Sequence, residues 1–196
     1  MKKIISIIFI SVLFSTCKKR DTPPPCQDDL NLTADDLSWN PYTNGEIIVF
    51  KSNTGLYDTG KIRSWVGFSD GGKDANGCEH LTQILNVDID SFQINTGKIF
   101  ELFVGHYNKW MNGPFPNDAE YYGFYSGGYG GSGATLSNLT PQNNIIINSI
   151  TYNNVYIISK DTTQNTNPQD IWRMYYTKQQ GLLEFDCWHG LSWFKI

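Results

Sequence analysis

The sequence predicts an all-β fold: a single antiparallel sheet domain, closed as a barrel or folded as a sandwich. Three observations lead to this prediction. No stretch keeps a long apolar stripe at helical spacing. Short β-branched and aromatic runs recur along the chain, and turn signals that contain Gly or Asn separate them. One domain is expected, because a chain of this length can bury about 70% of its unfolded surface in one core.

The predicted strands are residues 46–51, 61–68, 81–94, 98–106, 120–126, 144–151, 154–159, 171–178, 181–187 and 192–196. In the third of these, Leu85, Val87 and Ile89 alternate with polar residues, which is typical of a strand with one wet face. The fourth is apolar on both faces apart from Glu101. We therefore expect this fourth strand to be central in the sheet.

A short helical turn is predicted before the first strand. Thr33 offers a capping hydroxyl, and Asp36, three positions later, offers the acidic partner of a capping box. Leu37 and Trp39 could dock this turn on the sheet. Because Asn40-Pro41 breaks the pattern, we expect no more than one or two turns of helix.

The first 17 residues have the plan of a secretory signal. Lys2 and Lys3 form a basic patch, residues 4–14 are apolar except for two serines, and small residues lead to Cys17. A membrane-spanning helix needs about 20 apolar residues, and the basic residues that begin at Lys18 close this run earlier. We therefore expect residues 1–16 to be a signal peptide that is removed.

The end of this segment, Leu-Phe-Ser-Thr-Cys at residues 13–17, resembles a bacterial lipobox. The resemblance implies cleavage before Cys17 and acylation of that cysteine, for example with palmitate. Two or three acyl chains would anchor the lipoprotein stably in a membrane of the cell envelope, with the outer membrane as the expected location. Phe14 and Thr16 depart from the residues that a lipobox favours. The alternative is ordinary secretion, with Cys17 as a thiol or in a disulfide.

Residues 17–29 are expected to form the lipidated N-terminus and a proline-rich stalk. The run is polar, and three prolines follow one another at positions 23–25. Such a run favours an extended polyproline conformation of about 3 Å per residue. The stalk would hold the all-β domain, residues 30–196, away from the membrane.

Both ends of this domain resemble those of small uncharacterised bacterial lipoproteins. Near the C-terminus the match is Tyr-Tyr-x-Lys-x-x-Gly-Leu-Leu-x-Phe at residues 175–185, which is typical of a closing hairpin. Near the start it is Leu-Ser-Trp-Asn-Pro-Tyr at residues 37–42, followed by a strand that ends in Phe-Lys-Ser at 50–52. The resemblance implies a β fold and an envelope location, and it implies no activity.

Charge argues against nucleic acid as a partner. Cleavage before Cys17 leaves 13 basic and 19 acidic residues, a formal charge of minus six. Proteins that bind nucleic acid place an excess of Lys and Arg against its phosphates. The expected partners are the membrane, through the lipid anchor, and a glycan or an envelope protein.

The best sequence candidate for a recognition surface is the aromatic segment between Tyr107 and Gly133. Tyr and Trp combine a large apolar face with a polar group, which suits stacking on sugar rings or anchoring a protein partner. Alternatively, residues 121–125 form a strand that packs on both sides, and the glycines form a loop. The ligand-binding candidates are Tyr107, Trp110, Tyr121, Tyr122, Tyr125 and Tyr129.

Two patterns suggest hydrolysis, and neither is complete. Ser69 lies in Gly-Phe-Ser-Asp-Gly, the pattern of a serine nucleophile elbow, which needs a helix directly after the serine. A turn-rich loop is expected there instead. Asp88 and Asp90 share a strand face and could meet the ~5–9 Å separation that glycoside hydrolysis needs, although a wet strand face explains the same pair. No catalytic residue is assigned.

Cysteine and histidine spacing has two interpretations. Cys78-x-His80 and Cys187-x-His189 repeat one spacing, so four ligands on two strands could converge on a zinc ion. In an oxidising compartment, a disulfide between two of Cys26, Cys78 and Cys187 is favoured over the metal, and Cys26 with Cys78 is slightly preferred. No metal or cofactor is expected.

The sequence thus predicts a membrane-anchored lipoprotein outside the cytoplasm, a binding or structural module rather than an enzyme. The leading hypothesis is recognition of a glycan, a small apolar ligand or a protein through the aromatic segment. The alternatives are a glycan-active hydrolase and a carrier of a lipid or small apolar ligand. The carrier hypothesis predicts an apolar cavity inside a barrel.

Overall fold

The structure is a computed structural model that describes residues 31–73, 78–91, 98–106, 120–125, 139–159 and 171–196. Apart from one helical turn, α1 (Ala34–Leu37), and a 3₁₀ turn at Trp188–Gly190, the regular structure in these ranges is β. The strands are β1 (Ile47–Ser52), β2 (Tyr57–Lys73), β3 (Glu79–Ser91), β4 (Lys98–His106), β5 (Glu120–Tyr125), β6 (Ile145–Ile147), β7 (Ile150–Tyr152), β8 (Tyr156–Ser159), β9 (Ile171–Thr177), β10 (Gly181–Cys187) and β11 (Ser192–Lys195). The predicted all-β class is confirmed.

Nine of these strands form one antiparallel sheet in the order β5-β4-β3-β2-β1-β11-β10-β9-β8. The sheet curls into a half-barrel. Its middle is the pairing of β1 with β11, where Phe50 lies opposite Lys195, so the two ends of the domain are joined. The strand at 98–106, expected to be central, is internal but second from the edge, between β3 and β5.

The apolar core lies on the inner face of this curl. Cross-strand partners share a face of a sheet, and Ile62, Ile89 and Phe100 form one such row across β2, β3 and β4. All three are essentially inaccessible to solvent. On the other half of the sheet the same core continues through Met174 and Phe185.

The helical turn and the chain after it pack onto this core. The predicted capping box is confirmed: the Thr33 hydroxyl accepts from the Asp36 N–H at 3.2 Å, and the Asp36 carboxylate accepts from the Thr33 N–H at 2.6 Å. Trp39 and Tyr42 follow and are buried against the sheet. Leu37, expected to dock the turn together with Trp39, is exposed instead. The Tyr176 hydroxyl donates to the Trp39 carbonyl oxygen, which ties the turn to β9.

A smaller apolar cluster lies on the outer face. Strands β6 and β7 form a separate hairpin, and Ile147 packs there with Val155, Tyr175 and Leu183. The single strand predicted at 144–151 is therefore wrong. Asn148 and Ser149 both take positive φ, 46° and 67°, which is the backbone of a two-residue hairpin turn.

Strand β2 is much longer than the strand predicted at residues 61–68, because it begins at Tyr57 and continues to Lys73. Its first residues include Asp58-Thr59-Gly60, which the sequence suggests is a turn. Gly60 is needed for packing instead. A Cβ at this position would stand 2.6 Å from Ile89 Cγ2 and 3.4 Å from Phe50 Cε2. The glycine lets the two halves of the inner core approach each other.

Candidate functional site

The predicted aromatic recognition segment falls mostly outside the described residues. Tyr107, Trp110 and Tyr129 are not described. Tyr121, Tyr122 and Tyr125 belong to β5, whose backbone pairs with β4 and forms one edge of the sheet. Recognition through this segment stays a prediction.

The serine elbow is not formed. Strand β2 continues through Ser69 to Lys73, so strand follows the serine where the elbow requires a helix. Of the turn-rich loop expected at residues 72–77, Gly72 and Lys73 belong instead to β2, where Lys73 pairs with Glu79, and residues 74–77 lie outside the described residues. The backbone at Ser69 gives a hydrolase no support.

Asp88 and Asp90 lie on the outer face of β3, as their alternation with the buried Val87 and Ile89 predicts. Arg63 lies across from them on β2, with its Nη2 2.8 Å from Asp90 Oδ2 and 3.9 Å from Asp88 Oδ2. Because one guanidinium balances both carboxylates, the pair is an ion-pair network. A glycosidase needs two carboxyls that face a substrate between them.

The cysteines are only partly described. Cys17 and Cys26 lie outside the described residues. Cys187 carries a buried thiol, so the pairings of Cys187 with Cys78 or Cys26 are not formed. Cys26 with Cys78 is the pairing that this leaves. Across the described ranges, no group of three or more His, Cys, Asp and Glu side chains is placed to hold a metal ion.

A second polar cluster, which sequence reasoning missed, lies on the outer face of β9, β10 and β11. We call it the Arg173 site and define it by Arg173, Glu184, Asp186, Trp172 and Trp188. Register pairs Glu184 with Tyr175 and Phe194, and Asp186 with Arg173 and Ser192. Residues two apart on a strand share a face. The two acids are therefore neighbours on the outer face.

Two irregularities in the β9–β10 ladder shape this site. Between the pairs Leu182–Tyr176 and Glu184–Tyr175, the register shifts at Leu183. Between Asp186–Arg173 and Cys187–Ile171, it shifts at Trp172. A β-bulge of this kind re-aims side chains and is common beside functional sites. Here the second shift places the Trp172 indole next to the Arg173 guanidinium.

Asp186 connects the other polar groups of the site through hydrogen bonds. Its Oδ2 accepts from Arg173 Nε at 2.7 Å, and its Oδ1 accepts from the Ser192 hydroxyl at 2.5 Å. The Glu184 carboxyl is within hydrogen-bonding reach of the same group. Asp186 is buried, so these charge-assisted bonds compensate the loss of hydration of its carboxylate.

The Arg173 guanidinium is held between two rings. Its Cζ lies 4.4 Å from the centroid of Trp172 and 5.2 Å from that of Tyr175. Only Nε is used for Asp186, and the two Nη groups donate to no described residue. The Arg173 side chain is 36% exposed, so these donors can meet a ligand.

Burial and charge set the protonation of the neighbouring groups. Burial, and after it the neighbouring Asp186 carboxylate, raise the pKa of Glu184 to about 7, although Arg173 lowers it. Burial likewise raises the pKa of Tyr175 to about 12. Near neutral pH, Glu184 is therefore substantially protonated, and Tyr175 keeps its hydroxyl proton.

This acid pair is unsuited to glycoside hydrolysis despite its perturbed pKa. Two carboxyls in hydrogen-bonding contact are closer than the ~5 Å that even a retaining mechanism needs. Both oxygens of Asp186 are also occupied, by Arg173 and Ser192. The arrangement positions Arg173 and can bind a ligand, and Asp186 is not available as a nucleophile.

None of the helices in the described part of the chain is long and apolar enough to cross a membrane. Comparisons of the chain with protein families, with curated proteins and with solved structures find no match.

Proposed function

We propose that this chain is a lipid-anchored binding module of the cell envelope. Cys17 would carry the acyl chains, residues 18–29 would form the stalk, and the β domain would meet its ligand outside the cytoplasm. The tripartite leader and the lipobox-like residues 13–17 support the anchor.

The contrast between the two faces of the sheet supports surface binding. Large side chains fill the inner face, and Tyr176, Phe50, Phe100 and Phe185 are among those almost completely buried. The outer face instead presents charged and aromatic groups that are partly open to solvent, Arg173 and Arg63 among them. Such a domain is suited to bind a glycan or an envelope protein on its outside.

The same contrast does not favour a carrier of lipid or small apolar ligands. A carrier of this kind needs an apolar cavity within the sheet. In the described residues, the inner face is occupied by aromatic pairs such as Phe50 with Phe185, whose ring centroids are 5.2 Å apart. Surface recognition therefore remains the better proposal.

A disulfide between Cys26 and Cys78 belongs to the same proposal. It is the pairing compatible with a thiol at Cys187, and it would fix the stalk to the start of β3 in an oxidising compartment. Mass spectrometry of a non-reduced digest should find the peptides of Cys26 and Cys78 linked. Separate peptides would remove this part of the proposal.

Metabolic labelling tests the anchor. Cells that express the full chain should incorporate labelled palmitate into this protein, and Cys17→Ser should abolish the incorporation and release the protein from the membrane fraction. Cys26→Ser is the matched control and should remain labelled. Equal labelling of the wild type and Cys17→Ser would exclude a lipid anchor at this residue.

Binding is tested separately, with detergent-solubilised mature protein on an array of neutral and acidic oligosaccharides. The proposal expects saturable binding to at least one glycan class. An array without binding, together with no enrichment of any envelope protein by crosslinking in intact cells, would contradict a binding function.

A further inference from the structure

We propose that the Arg173 site binds a neutral saccharide, with Trp172 and Trp188 as the stacking surface and the Arg173 Nη groups as donors to adjacent ring hydroxyls. This inference rests on the proposed binding function and specifies its ligand class and its location.

The donors are fixed in place before a ligand arrives. A guanidinium offers five N–H groups in a planar fork, and Asp186 occupies only Nε of Arg173, at 2.7 Å. Ser192 holds the other Asp186 oxygen at 2.5 Å, so the carboxylate that orients the fork is itself oriented. Little side-chain freedom is left to lose on binding, which favours affinity. The fork matches two neighbouring hydroxyl oxygens on one ring.

The rings provide the apolar half of the site. The Trp172 and Trp188 centroids are 5.9 Å apart with planes inclined by 37°, and both residues are partly exposed. The buried indole N–H of Trp188 has no hydrogen-bond partner among the described residues. A pyranose ring has an apolar C–H face of similar size to an indole. The Arg173 guanidinium already covers one face of Trp172, with its Cζ 4.4 Å from the ring centroid. The sugar face would therefore stack on Trp188 beside the edge of Trp172, with its hydroxyls directed towards the Arg173 fork.

Charge selects a neutral ligand over an anionic one. Arg173 is balanced by Asp186 at ion-pair distance, and Glu184 adds negative charge when it ionises. A uronic acid or phosphorylated sugar would bring its anion next to these two carboxyls, and like charges at short range repel. A neutral sugar meets no such cost.

Three variants on the oligosaccharide array and in titrations test the site. Trp172→Ala removes the ring on which the guanidinium lies and the edge of the stacking surface, and Arg173→Lys keeps the charge but loses the fork. Trp65→Ala is the matched control, because its indole is also exposed but lies on β2. We expect both site variants to bind the neutral glycan at least tenfold more weakly, which corresponds to ~1.4 kcal/mol, and Trp65→Ala to bind within twofold of the wild type.

Each outcome decides a different claim. Neutral-glycan binding that is unchanged in Trp172→Ala and Arg173→Lys overturns the site but leaves the binding function intact. Binding of uronic-acid glycans alone overturns the ligand class. Failure of the wild type to bind any glycan overturns this inference, and the crosslinking test above then decides the binding function.

Indole fluorescence of correctly folded protein gives a second test, which does not depend on whether the site variants fold. The neutral glycan should shift the indole fluorescence of the wild type, and the shift should persist in Trp65→Ala, whose change lies outside the site. Loss of the shift in Trp65→Ala alone would place the ligand on β2 and overturn the inference.

Discussion

Tyr42 lies directly over Gly181. The Leu182 N–H donates a hydrogen bond to the Tyr42 hydroxyl oxygen at 2.5 Å, and any Cβ on Gly181 would overlap the phenol ring. Gly181 also has a φ of +74°, a conformation that favours glycine. Burial raises the pKa of Tyr42 far above its usual value, so the hydroxyl remains neutral. The contact joins the segment after α1 to the turn between β9 and β10.

Gly181→Ala should therefore be severely destabilising. We expect a loss of about 3 kcal/mol, because strain at positive φ costs roughly 1 kcal/mol and the overlap with Tyr42 adds the cost of overpacking. Gly190→Ala is the matched control: its φ is +82°, but no atom lies within 4 Å of the added Cβ. Urea unfolding should show about 1 kcal/mol for this control. Equal losses in the two variants would show that the Tyr42 contact is unimportant.

Tyr176→Phe tests how the helical turn is held. The Tyr176 hydroxyl is buried and donates to the Trp39 carbonyl oxygen. We expect the loss of this donor to lower the free energy of unfolding by about 1–2 kcal/mol. Tyr57→Phe, on an exposed ring, should change it by less than about 0.5 kcal/mol. No difference between the two variants in chemical denaturation would contradict this assignment.

Arg63 and Asp90 should show only weak coupling. Their contact is short, 2.8 Å, but the Arg63 side chain is 57% exposed, and exposed ion pairs contribute roughly 0.2–1 kcal/mol. A double-mutant cycle with Arg63→Gln and Asp90→Asn should give a coupling energy in that range. The coupling should decrease in about 1 M salt, where the Debye length is ~3 Å. A salt-independent coupling above about 2 kcal/mol would show that the pair is shielded from solvent.

Much of the sheet could be predicted because the signals are local. The bounds of β4 and β10, residues 98–106 and 181–187, agree with the prediction from apolar runs and flanking turns. The capping box at Thr33 was equally readable, since its two partners are three residues apart.

The strand predictions failed where the local sequence signal is weak or where contacts with distant residues decide the structure. Asn148-Ser149 is not one of the strong dipeptide signals for a tight hairpin turn, yet both residues take positive φ where β6 meets β7. Gly60 resembles a turn residue in sequence, but its role is close packing against Ile89, which lies on another strand.

The Arg173 site depends on a relationship that no local pattern contains. Its groups come from β9, β10 and the 3₁₀ turn after β10, and two register shifts between β9 and β10 decide which side chains meet. One signal was available: Glu184 and Asp186 alternate with Phe185 inside an otherwise apolar run, so two acids share one face of a buried strand. That pattern indicates an unusual acid pair, but it cannot identify Arg173 as its partner.

Glu184 should give the protein a distinct pH dependence of stability. Its pKa is about 7 in the folded protein, chiefly because of burial, and 4.5 is its ordinary value. The charged and titratable groups that face it are Asp186 on its own strand and Arg173 and Tyr175 on β9, and β11 places Phe194 opposite. Between pH 4.5 and about 7, the folded state thus binds more protons than the unfolded state.

The direction of the pH dependence of stability follows from this difference in bound protons. The stabilisation linked to protonated Glu184 is fully present below pH 4.5 and is lost as the pH rises through about 7. Between pH 5 and pH 8, the free energy of unfolding of the wild type should therefore decrease by about 1–2 kcal/mol more than that of the Glu184→Gln variant, whose side chain cannot ionise. Urea titrations of both proteins at each pH measure this difference directly. Carboxylates that do not contact Glu184 contribute equally to both proteins and cancel, so parallel pH profiles would mean that Glu184 titrates normally and is hydrated.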